Sequence, residues 1–136
     1  MPVFLQEGNG QVVQVGEEVW NLGVTSCGLV LGFGSIGVAA YHWPFMTDKD
    51  GYFQTFRRLV DQVGVLDRIE IYTNPMPGGS TESYEATTRK IRKQFGVHTI
   101  HYIYGNSIRG VDVSLTVTNP VTNVNPGVSS TFLDLA

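Results

Sequence analysis

The sequence predicts an α+β domain: mixed or antiparallel β-sheets, sandwich-like, flanked by two main helices. Short runs rich in β-branched and aromatic residues, bounded by Gly, Asn and Pro, fill the beginning and end of the chain. Between them the apolar pattern turns helical twice, over 52–63 and 84–95. The resulting order is strands, helix, strand, helix, strands. At 136 residues the chain fits one domain spanning 1–136, long enough to bury a real core.

Taken in order, residues 3–6 and 11–15 read as strands around Gly8-Asn9-Gly10, and Glu17–Asn21 is ambiguous. From Val24 to Trp43 the chain is apolar, β-branched and Gly-rich. It predicts two strands, about 24–33 and 36–43, with Gly34 as first residue of a type II′ turn at Gly34-Ser35. Tyr52, Phe53, Phe56, Leu59, Val60 and Val63 recur at helical spacing; Thr47, Asp48 or Asp50 caps that helix and Gly64 stops it. Arg68–Tyr72 reads as a strand and Asn74–Gly79 as a loop. Ser80 caps a second helix reaching Phe95, with Gly96 beyond it. Glu82 and Glu85 lie early in it and Arg92 and Lys93 late, as the helix dipole favours. Its apolar stripe is Tyr84, Thr88, Ile91 and Phe95. Strands follow at Val97–Tyr104 and Val111–Thr118. Asn119 to Ser130 is the least structured stretch by composition, and a last short strand includes Thr131, Phe132 and Leu133.

Composition narrows the function. Hydrophobic residues make up 42%, too many for a disordered chain. No apolar run of about 18 residues exists, so no membrane-spanning helix is expected. The first residues lack a basic n-region and an apolar h-region. A cytoplasmic protein is expected, or one delivered into a host cell without a classical signal peptide. Net charge −3 and a pI near 5.5 argue against nucleic acid as a partner. All nine Lys and Arg lie between Lys49 and Arg109.

Three motifs read as structural. Gly32-Phe33-Gly34-Ser35-Ile36-Gly37 matches G-x-G-x-x-G, but a strand pattern follows it where a dinucleotide site needs a helix. It reads as a glycine-rich hairpin bend. His98 and His101 sit three apart on a strand, hence on opposite faces, so no metal site is expected. The run Arg89-Lys90-x-Arg92-Lys93 reads as a solvated helix face.

The chemistry centres on the single cysteine, Cys27, which excludes an internal disulfide and any multi-thiolate metal site. In the predicted hairpin Phe33 pairs with Ile36. Stepping along both strands then sets Cys27 directly opposite His42, with Cβ atoms about 4.5–5.5 Å apart. An imidazole there takes the thiol proton, giving a nucleophile and its base. A one-residue bulge would put the two on opposite faces. Thr25, and Asn21 if the strand runs straight through Gly23, share that face, and either supplies a hydrogen bond to fix the His42 tautomer. Backbone N–H groups near Ser26 and Cys27 are candidate oxyanion donors.

Asn21-Leu22-Gly23-Val24-Thr25-Ser26-Cys27 followed by His42-Trp43-Pro44 resembles the signature of CheD-type chemoreceptor glutamine deamidases, a Thr-x-Gly-x-Gly-Ser-Cys stretch and a His shortly before Pro. A similar Cys–His hairpin occurs in the deamidase toxins, cytotoxic necrotising factor and Burkholderia lethal factor. Asn21 stands where the CheD pattern has a His-orienting Thr, Thr25 replaces a Gly, and the Cys-to-His spacing is nearer the toxins. The resemblance implies a deamidase-like domain whose catalytic residues are Cys27, His42 and Asn21, with Thr25 and Ser26 binding. It implies a protein partner bearing a glutamine, converted to glutamate through a thioester with release of ammonia, and transglutamination where an amine replaces water. No cofactor is implied, and neither nucleic acid nor membrane as partner; oligomeric state is not readable. The alternative is a non-enzymatic binding or inhibitory module with Cys27 as a core thiol. A third reading is another cysteine hydrolase, such as a peptidase.

Overall fold

The computed structural model describes residues 2–24, 27–45, 50–73, 82–104, 111–118, 124–125 and 130–134. The fold is α+β, with two helices and two mixed sheets among the described residues. The elements are β1 (Val3–Leu5), β2 (Gly10–Val13), β3 (Glu18–Val24), β4 (Gly28–Gly34), β5 (Val38–Trp43), α1 (Asp50–Val60), β6 (Leu66–Thr73), α2 (Glu82–Phe95), β7 (His98–Tyr104), β8 (Val111–Thr116), β9 (Val124–Asn125) and β10 (Ser130–Asp134). One sheet has the order β1-β3-β8-β9, the other β10-β7-β6-β4-β5-β2. β1 runs parallel to β3 and β6 parallel to β7; the remaining pairs are antiparallel.

The strand period decides which residues face where. On β5, Ala39, Tyr41 and Trp43 join the core under the helices, while Val38 and Ala40 join the core between the sheets. Trp43 is the keystone of the helix side, its ring edge-on to Phe53 at 4.8 Å and to Phe56 at 5.6 Å between centroids. Such aromatic pairs add about 0.5–1.5 kcal/mol each beyond their buried area. With Tyr41 and Trp43 committed to α1, alternation turns His42 toward the other sheet. On β4, Leu29, Leu31 and Phe33 face the same inter-sheet core and Val30 the helices.

α1 and α2 fall where the helical period places them, and their C-terminal glycines, Gly64 and Gly96, have φ +81° and +67°. On α2, Thr88 and Ile91 are buried and Phe95 half-buried, as the stripe predicts. The candidate caps Thr47, Asp48 and Ser80 and the loop Asn74–Gly79 lie outside the described residues. The stretch Asn119–Ser130 contains the two-residue strand β9. His98 is exposed and His101 fully buried, on opposite faces of β7.

Two expectations fail. Strands β1 and β2, read as neighbours around a turn, belong to different sheets. And Phe33 pairs with Val38, so the β4–β5 tip is Ser35-Ile36, closed by Gly34 N–H donating to Gly37 C=O at 2.9 Å. Gly34 has no positive φ and so is not the first residue of a II′ turn. Contact explains its identity: a Cβ there would lie 2.1 Å from the Val63 carbonyl oxygen. The link from α1 to β6 grips the tip, Ile36 N–H donating to Val63 C=O and Ser35 N–H to Val65 C=O, both at 3.0 Å. Tertiary contact, not local turn chemistry, sets the register.

Candidate functional site

The corrected register pairs His42 with Leu29, where the sequence set it against Cys27. The shift comes to two residues between the strands, so it is Leu29 that shares a face with His42. Cys27 lies just before β4, outside the paired register, and is not set opposite His42. Its electrostatic neighbours are Glu7 and Tyr41, the latter on the helix side of β5. Cys27 is 6% exposed and His42 0%. On the helix side of β4, a Cβ on Gly28 would come within 2.6 Å of the Phe45 ring.

His42 is held from the other sheet. Its Nδ1–H donates to the main-chain carbonyl of Leu5, the last residue of β1, at 2.9 Å. A carbonyl only accepts, so the proton sits on Nδ1. Burial holds the His42 pKa below its usual value, with the Leu5 hydrogen bond and the Glu7 charge opposing in part, so Nε2 carries a free lone pair at neutral pH. That Nε2 is buried with no hydrogen-bond partner among the described residues.

Asn21 stands on β3 beside Leu5, its pairing partner in the parallel ladder. It is thus in the opposite sheet from Cys27, because the chain does not run straight from Asn21 into β4. A register irregularity follows it on β3. Asn21 is fully buried, and neither amide atom has a partner among the described residues. It does not orient His42; the Leu5 carbonyl does that. Thr25 and Ser26 lie outside the described residues.

Sequence reasoning missed two contributors. Leu5 acts through its main chain, which no side-chain pattern reveals. Glu7 is exposed, yet its charge acts on both Cys27 and His42. Burial first, then the nearby Glu7 carboxylate, pushes the thiol from 9.0 up to about 12. At neutral pH the Cys27 thiol therefore rests protonated and the His42 imidazole neutral. This differs from the depressed thiol pKa expected of a preformed ion pair.

Two other polar groups in the interior are structural. His101 Nε2 meets Thr73 Oγ1 at 2.6 Å beneath α2, and burial lowers the ring to about 4. On the inter-sheet side of β6, Glu70 accepts from Arg68 Nε at 2.7 Å and from the Tyr72 hydroxyl at 2.5 Å. A pocket of about 380 Å³ lies at the hairpin tip, lined by Phe33, Ile36 and Arg68 among others. It is at the far end of β4 from Cys27.

No protein-family model matches the chain, and no curated protein matches it in sequence. Among the described residues, no helix is long and apolar enough to cross a membrane.

Proposed function

We propose that this protein is a cysteine-dependent amidohydrolase that converts glutamine side chains of a partner protein to glutamate. The observation that carries the reading is His42. Its tautomer is fixed by the Leu5 carbonyl, leaving Nε2 buried and without a hydrogen-bond partner among the described residues. A buried imidazole with an unmade hydrogen bond costs stability, and base catalysis gives it a purpose. The likeness of Asn21–Cys27 and His42–Pro44 to the CheD-type deamidases and deamidase toxins points the same way, and supports a deamidase-like domain.

In this reading Cys27 Sγ attacks the carboxamide carbon as its proton passes to His42 Nε2. The proton then goes to the departing ammonia, and water hydrolyses the thioester. Here the Cys27 backbone N–H is the candidate donor to the oxyanion. The chemistry calls for no metal or cofactor.

A second reading has its own support. A thiol 6% exposed with its pKa near 12 is what a core cysteine in a non-enzymatic binding module looks like. Incubation with denatured casein and with a blocked Gln-Gly dipeptide separates the two. The enzyme releases ammonia and adds about 1 Da per converted glutamine. Cys27→Ala and Cys27→Ser both abolish this. Conversion that persists in Cys27→Ser at near the native rate removes Cys27 as nucleophile, and no conversion by the native chain leaves the module.

A further inference from the structure

The basic run on α2 divides according to what surrounds each side chain. Lys90 Nζ lies over the Phe53 ring, 5.8 Å from its centroid. Near the helix end, Arg57 of α1 lies over Phe95 at 4.5 Å and donates from Nη2 to the Gln94 carbonyl at 3.0 Å. Arg92 and Lys93 are exposed, and neither forms an ion pair among the described residues. They border a cavity of about 440 Å³ that Gly96, Val97 and His98 complete. Among the described residues, no carboxylate lines it.

The end of the helix shapes this cavity. Gly96 N–H donates to Arg92 C=O at 2.8 Å, and Gly96 turns the chain with φ +67°. A Cβ on Gly96 would meet nothing within 4 Å, so the space beside its main chain is open. Arg92 and Lys93 stand four and three positions before Gly96, the spacings that share a helix face. A helix C-terminus presents partial negative charge, about half a unit. Here the Arg92 and Gln94 carbonyls already accept hydrogen bonds, and the two side chains bring two full positive charges. Glu82 and Glu85 lie at the other end of α2, about 10 Å or more away along its axis.

We propose that this cavity is an anion site for a phosphoryl group, held by the Arg92 guanidinium and the Lys93 ammonium over Gly96. The guanidinium offers a planar fork of donors that matches two phosphoryl oxygens, and the ammonium adds a second charge. A phosphate monoester carries about −1.5 to −2 charge at neutral pH and three acceptor oxygens, so it answers two cations better than a single carboxylate does. The cavity has the size of a small-molecule site, which leaves room for what carries the phosphate. It is also separate from the cysteine. Arg68 on β6 aligns with His98 on one side and Phe33 on the other, whereas Gly28, next to Cys27, aligns with Thr73. Five residues at about 3.3 Å each set the cavity about 16 Å along the strands from the Cys27 end of the sheet. Binding here anchors a phosphorylated ligand without occupying the thiol, and it does not depend on the deamidase reading.

The test follows the backbone amides of Gly96, Val97 and His98 by NMR in the isotope-labelled whole chain at constant ionic strength. The probes are inorganic phosphate and a blocked Ala-phosphoserine-Ala peptide; acetate and the unphosphorylated peptide are the controls. Both phosphate probes should give saturating shifts centred on these amides. R92Q/K93Q should weaken binding about tenfold or more, whereas R89Q/K90Q, which removes the same charge from the same helix outside the cavity, should leave it within about twofold. Equal weakening by the two double variants overturns the proposal, because a diffuse field then accounts for the binding. Shifts that never saturate overturn it too, as does acetate or unphosphorylated peptide binding as tightly as the phosphate probes. Tighter binding of the phosphopeptide than of inorganic phosphate places the group on a protein, and equal binding makes it the free anion; either supports the site.

Discussion

Alkylation of Cys27 gives the sharpest check on the resting state of the site. The perturbation is pH, and the comparison is folded against urea-unfolded chain. Only the thiolate reacts. With the thiol near 12 instead of 9.0, the thiolate fraction at about pH 8 drops from roughly one in ten to roughly one in ten thousand. Folded protein should therefore label about a thousandfold more slowly than unfolded protein on ionisation alone, and more slowly still because the sulfur is buried. The folded rate should climb about tenfold per pH unit with no plateau up to about pH 10. Intact-mass spectrometry reads this without ambiguity, since the chain has one cysteine. A plateau below about pH 9, or a folded rate within tenfold of the unfolded one, would refute the reasoning. Either result would mean that burial and Glu7 do not hold the proton on sulfur and that a thiolate–imidazolium pair preexists.

Three further predictions concern the scaffold. His101 titrates near 4 in the fold against 6.5 unfolded, so its contribution is complete above pH 6.5 and is lost as pH falls toward 4. Stability drops by about 3 kcal/mol between pH 7 and 4 from this group, and denaturant midpoints of His101→Gln follow a flatter pH slope. Gly34→Ala forces a methyl against the Val63 carbonyl, which a Cβ would meet at 2.1 Å; urea unfolding should show a loss of about 2 kcal/mol or more, and an unchanged midpoint would mean that the tip relaxes freely. Asn21→Leu removes two buried polar atoms that have no partner among the described residues. Thermal melts should show about 1–2 kcal/mol of added stability, and a loss instead would show that the amide is satisfied in solution.

Much of the fold was legible because it is written in local periods. The helical recurrence of Phe53, Phe56 and Val60 and the alternation along β4 and β5 each specify a buried face without knowledge of the partner. The pairing of β4 with β5 was equally legible, though its register was misjudged by two residues, which sets Leu29 and not Cys27 opposite His42. The register itself depends on Val63 and Val65 reaching across to Ser35 and Ile36, contacts about thirty positions apart that leave no mark in a local pattern. The same holds for the parting of β1 and β2 into separate sheets, since a Gly-Asn-Gly turn is compatible with either outcome. Glu7 and Leu5 were invisible for a related reason: their importance comes from what folds against them.

The Leu5 carbonyl has a practical consequence. A group that belongs to the peptide unit survives every point substitution, so an alanine scan over residues 3–7 would report Leu5 only through its packing and pass over its hold on the imidazole. What reaches that oxygen is chemistry on the chain itself. Replacing the Leu5–Gln6 amide with an ester by semisynthesis weakens the acceptor while sparing every side chain. The residue that aims the proposed base is thereby free to vary in sequence, provided the path of the first strand is kept.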